Sequence, residues 1–145
     1  MPDGILPNEG IGDQLKYLLQ SPISGVLPWK FVFFVNNIGP DFTTVYADLV
    51  LSSFGGFTPF DLSRADWTDP VVTGNCALST WGTDVLSWTF TSGPLETIYG
   101  YAYLDYAAHK IRFVQRFDVA DIQTVVIGEK IRLLPRYTLT SCSCP

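Results

Sequence analysis

A two-residue period in the last third of the chain restricts its fold more than any other feature. In residues 110–117 (KIRFVQRF) Ile111, Phe113 and Phe117 take odd positions, while Lys110, Arg112 and Arg116 take even ones. Residues 130–137 repeat the arrangement, with Ile131, Leu133 and Tyr137 set against Lys130, Arg132 and Arg136. An extended strand sends alternate side chains to opposite faces, so each segment reads as a strand with one buried and one wet face. Residues 97–106 (TIYGYAYLDY) precede the first of these, and Ala107-Ala108-His109 is short enough to join the two as a hairpin. Upstream, residues 29–35 (WKFVFFV) form a buried-strand candidate closed by the turn chemistry of Asn36-Asn37-Ile38-Gly39-Pro40-Asp41. Residues 47–53 follow as a strand, Gly55 and Gly56 allow a bend, and further strands are expected near Phe60 and over 77–81 and 85–91.

Strands at fairly regular spacing with no helices between them predict an all-β fold: a single antiparallel β-sandwich or jelly-roll-like barrel. A parallel sheet would need crossover helices that the pattern lacks. Only the N-terminus reads as helical. Asn8 supplies a cap, Ile11, Leu15, Leu18 and Leu19 share one helical stripe, and Pro22 stops it. Gly10 and Gly12 each weaken that helix by up to about 1 kcal/mol relative to alanine, so it needs an apolar surface to pack on. The expected organisation is an N-terminal arm with a short amphipathic helix over residues 1–22, a β domain over 23–140, and a loose tail over 141–145.

At 145 residues, 47% apolar and 16% charged, the chain is long and apolar enough to build a core. The longest apolar run is five residues, 31–35, against about 20 for a bilayer span, and no basic region leads an apolar one at the N-terminus. No membrane partner and no signal peptide are expected. Fourteen acidic residues against nine basic ones argue against a surface made for nucleic acid. The three cysteines are an odd number, and with one histidine they are too few for a structural zinc site, so reduced thiols are expected and no metal.

No constellation for chemistry emerges. His109 stands alone in a turn, without a nucleophile elbow to serve, and reads as a solvated turn residue. Asp61, Asp66 and Asp69 lie close in sequence, but aspartates flanking Trp67-Thr68 before Pro70 suit turn capping, and the alternating pattern of a calcium loop is absent. Neither a phosphate-binding loop nor a dinucleotide fingerprint occurs. The chain therefore reads as non-enzymatic, with no catalytic residue and no cofactor.

Two surface features remain. Tyr99, Tyr101 and Tyr103 alternate along one strand and would share a face, as core or oligomer contact or else as a stacking platform for sugars. Residues 1–109 hold 11 acidic and 3 basic residues, net −8, whereas 110–145 hold 3 acidic and 6 basic, net +3. If the two basic strands lie side by side, Lys110, Arg112, Arg116, Lys130, Arg132 and Arg136 make one cationic face for an acidic partner.

Several stretches also carry a family likeness. Leu6-Pro7-Asn8-Glu9-Gly10 leading into residues 15–19, then Phe33-Phe34-Val35-Asn36-Asn37 with Ala47-Asp48-Leu49, and Tyr99-Gly100-Tyr101 through to Arg116-Phe117, resemble small virion proteins of tailed bacteriophages. The resemblance implies a small β-sandwich with an arm that acts by assembly, and it supplies no catalytic residues. It leads to the expectation of a cement or decoration protein on the outer capsid surface, with a tail-associated or carbohydrate-binding module as the alternative. Such a protein is made in the host cytoplasm and resides in the virion, as a homo-oligomer bound to the major capsid protein or another virion protein. The arm (Ile11, Leu15, Leu18, Leu19) would bury apolar area on a neighbour while the basic face sets register.

Overall fold

The computed structural model describes residues 15, 16, 18, 19 and 29–140, save 42 and 107. The strands are β1 (Trp29–Phe34), β2 (Phe60–Leu62), β3 (Val71–Thr73), β4 (Cys76–Thr80), β5 (Leu86–Thr89), β6 (Glu96–Ile98), β7 (Gly100–Asp105), β8 (Lys110–Arg116), β9 (Gln123–Val125), β10 (Lys130–Leu133) and β11 (Arg136–Thr140). All of their pairings are antiparallel, as the all-β reading requires. The described residues gather into two compact units. One contains residues 63–85 and 134–140 with Leu15, Lys16, Leu18 and Leu19; the other contains 29–62 and 86–133.

The smaller unit is built on a three-stranded sheet of order β11-β4-β3. Ala77 and Ser79 on β4 are buried, and the Ser79 hydroxyl donates to the Thr68 carbonyl at 2.6 Å. The aspartate-rich loop docks on this strand: Thr68 N donates to Thr80 O at 2.9 Å, and the Trp81 indole donates to Ser63 O at 3.2 Å. Asp66 accepts from the Ser63 hydroxyl, and Asp69 pairs with Lys16 across 3.2 Å.

The larger unit is built on a four-stranded sheet of order β2-β1-β7-β8, with β5–β10 and β6–β9 as separate two-stranded ribbons. The sheet is buried on both faces, which explains the unbroken apolar run of β1. On one face Phe31, Phe33, Tyr101 and Tyr103 form an aromatic layer. Phe31 stacks on Trp88 of β5 at 5.3 Å and Tyr103 on Phe113 of β8 at 4.9 Å. On the other face Val32, Phe34, Ala102 and Leu104 are covered by Leu49, with Ile38, Tyr46 and Leu51 packed around them. Gly100 is required at its place, because a Cβ there would meet the Gln115 carbonyl and the Phe34 ring.

Three expectations are corrected here. Residues 47–53 are not a strand: Tyr46–Asp48 is a 3-10 turn, and the segment after it touches the end of β1 through one bridge, Phe34 to Leu51. Asn36 substitutes for strand pairing, its side chain donating to Asp48 O at 2.7 Å and accepting from Val50 N at 2.9 Å. Residues 130–137 are not one strand but two. Pro135, which has no N–H to give a ladder, separates β10, paired with β5, from β11, paired with β4. Finally, the one-buried, one-wet alternation holds for β10 but not for β8, where residues 111–116 are all half-buried and the register shift after Ile111 sets Ile111 on the Val32 and Leu104 group and Phe113 on Tyr103, on opposite faces.

Candidate functional site

The six basic residues do not form one face. β8 pairs with β7 and β10 with β5, so the two basic strands stand in different sheets, and Arg136 belongs to the smaller unit. Two of the six are turned inward. The β7–β8 register slips between Tyr103 and Leu104, leaving Arg112 as the extra residue of a bulge. The bulge aims its guanidinium at the buried Asp105, Nη2 to Oδ2 at 2.8 Å, while Asp105 Oδ1 accepts from Ala108 N and closes the hairpin. Arg116 donates to Ile38 O at 2.7 Å and lies 5.3 Å over the Tyr99 ring. Lys110, Lys130, Arg132 and Arg136 are exposed.

The tyrosine row does not exist as a platform. Tyr101 and Tyr103 are 2% and 0% exposed, so neither ring offers a face to a sugar. Tyr99 packs with the Val32 and Phe34 group, on the other side of the sheet, because it lies in the break between β6 and β7 where the alternation is interrupted. Of the arm, Ile11 lies outside the described residues, as do 141–145. Leu15 and Leu19 are 0% and 2% exposed and Leu18 is half-buried, so their apolar area is already covered by this chain and is not offered to a neighbour.

Apolar area is exposed elsewhere. Residues 126–129 form a β-turn in which Glu129 N donates to Val126 O at 3.0 Å, Val126 N donates back to the Glu129 carboxylate at 3.0 Å, and Gly128 takes φ +92°. Ile127 sits at its apex, 73% exposed, with Val126 at 41%. The β6–β9 register pairs Glu96 with Val125, which brings Leu95, 66% exposed, beside Val126. From this tip the chain runs into β10, where Ile131 is buried and Lys130 and Arg132 face outward.

A second cluster comes from segments far apart in sequence. Asp61, Lys30, Leu104 and Ile111 are in register across β2, β1, β7 and β8, and the Lys30 ammonium meets Asp61 Oδ1 at 2.6 Å. Tyr106 follows Leu104 by one pleat. The 3-10 turn brings Tyr46 edge-on to Tyr106 at 6.4 Å and to His109 at 5.2 Å. His109, expected to be a plain turn residue, closes the hairpin with φ +51°. Burial and the neighbouring Tyr46 raise the Tyr106 pKa, with Lys30 opposing. No spacing rule would have found this group, since its members are brought together by strand pairing and by the packing of a distant 3-10 turn.

Among the described residues no three His, Cys, Asp or Glu side chains gather as a metal site, and no helix is long and apolar enough to cross a membrane. No family model, curated protein or solved structure matches the chain.

Proposed function

We propose that this chain is a non-enzymatic virion structural protein, a cement or decoration protein that binds the outer surface of a bacteriophage capsid through the major capsid protein or another virion protein. The observation that carries the proposal is the 126–132 segment. It presents an apolar apex at Val126 and Ile127, beside Leu95, and then two outward cations, Lys130 and Arg132. Exposed apolar side chains grouped beside charge are the composition of a protein interface. Burying the three apolar side chains against a partner contributes about 3 kcal/mol after weighting by exposure, roughly two decades in Kd. Charge supports self-association as well, since the acidic first three-quarters of one copy complements the basic remainder of another. The placement in a virion rests on the sequence resemblance. In this reading the larger unit is one sandwich, its aromatic layer roofed by the β5–β10 ribbon.

The test is cosedimentation with capsids of the particle whose genome encodes the chain, alongside sedimentation velocity of the protein alone. The wild type should pellet with capsids and sediment as a discrete oligomer. Ile127→Asp and Arg132→Glu should each lower capsid binding at least tenfold with the melting temperature unchanged. Full binding by both variants would sink the proposal.

A further inference from the structure

We propose that the corner formed by Tyr46, Tyr106, His109 and the Lys30–Asp61 pair binds carbohydrate, through neutral hexopyranose units of a glycan. The proposal stands apart from the assembly reading and uses none of its residues.

The first support is convergence. Five side chains from separate segments, on β1, β2, the 3-10 turn and the two sides of the β7–β8 turn, lie at one end of the sheet face that carries Val32, Ala102 and Leu104, and the Lys30 charge acts on the Tyr106 phenol. Packing of that face does not need them all, since Tyr106 is 36% exposed and His109 and Asp61 are also exposed.

The second support is chemical fit. A hexopyranose presents one face of C–H groups and a rim of hydroxyls, each both donor and acceptor. Aromatic rings match the first, and mixed donors and acceptors match the second. Here the Tyr46 ring lies 6.4 Å from that of Tyr106 and 5.2 Å from that of His109, and Asp61 holds Lys30 through Oδ1. The second carboxylate oxygen, the ammonium's remaining donors, the phenol hydroxyls and the imidazole nitrogens make no hydrogen bond among the described residues. Tyr106 keeps its phenolic proton across the neutral range, because its pKa is raised.

The third support is rigidity. Lys30 and Asp61 project from paired strands, Tyr46 is anchored on the Val32 and Leu104 group, and the Asp105 carboxylate ties the hairpin that carries Tyr106 and His109. A site on fixed elements loses little freedom when a ligand settles on it.

The experiment is titration of the isotopically labelled full chain with methyl β-galactopyranoside, methyl α-glucopyranoside and N-acetylglucosamine, each followed by amide shifts and by saturation transfer to the sugar. At least one sugar should transfer saturation and shift amides at residues 30, 46, 61, 106 and 109. Tyr106→Ala should weaken that binding at least tenfold, and Asp61→Asn should weaken it while the amide spectrum elsewhere stays native. Absence of any shift with all three sugars at tens of millimolar would overturn the proposal, as would shifts confined to other residues. So would the same corner responding to sodium sulfate and to no sugar, which would make it an anion site centred on Lys30.

Discussion

Replacing Gly100 by alanine probes the centre of the fold with a single methyl group. Gly100 opens β7, opposite Phe34 on β1 and Arg116 on β8. A Cβ built there lies 2.6 and 2.7 Å from two ring carbons of Phe34, and closer still to the Gln115 carbonyl oxygen. The Phe34 ring is fully buried and cannot swing into solvent, and the carbonyl belongs to the neighbouring strand's ladder, so neither neighbour gives way cheaply. Overpacking of this kind costs about 1–3 kcal/mol, and involvement of a backbone atom places Gly100→Ala near the upper end. With a urea slope of about 1–3 kcal/mol/M, the midpoint should fall by roughly 1–2 M at unchanged slope. Gly39→Ala is the control: nothing lies within 4 Å of its added Cβ, so the midpoint should stay put or rise slightly. Equal midpoints for the two variants would refute the β1–β7–β8 packing on which the carbohydrate site stands.

Leu15→Ala should cost about 2–5 kcal/mol in the same assay, because the side chain is fully buried; a loss below 0.5 kcal/mol would show that Leu15 is not held in the core. Asp105→Ala removes a carboxylate partner of Arg112 and unties the hairpin, and should accelerate amide exchange at residues 108–112 before any other segment of the larger unit. Hydrogen bonds from the Thr43 hydroxyl and amide, helped by Thr44, hold the Asp41 carboxyl below its ordinary pKa. Its contribution to stability is therefore complete above the ordinary aspartate range and is lost as pH falls through the lowered value. Thr43→Ala should move the Asp41 titration, followed by carbon NMR, back toward the ordinary value.

The residues alone determined the class of this protein. Alternation in 110–117 and the turn residues around it are local properties, set by which side of a pleat each side chain takes, and they predicted the β7–β8 hairpin and antiparallel pairing. What period two does not encode is the second face. β7 is ambiguous in sequence, yet it is sealed on two sides, because Leu49, Ile38 and Tyr46 arrive from a segment that reads in part as a strand and in the fold pairs through a single bridge. The same limit explains the tyrosines. Nothing local marks Tyr99 as lying on the far side from Tyr101, or Tyr101 and Tyr103 as interior. Pro135 was a visible break in 130–137, but only pairing with two different partners shows that it divides β10 from β11. Local chemistry sets strand and turn; which surfaces remain to meet a partner or a sugar depends on contacts between residues tens of positions apart, and only the folded chain holds that information.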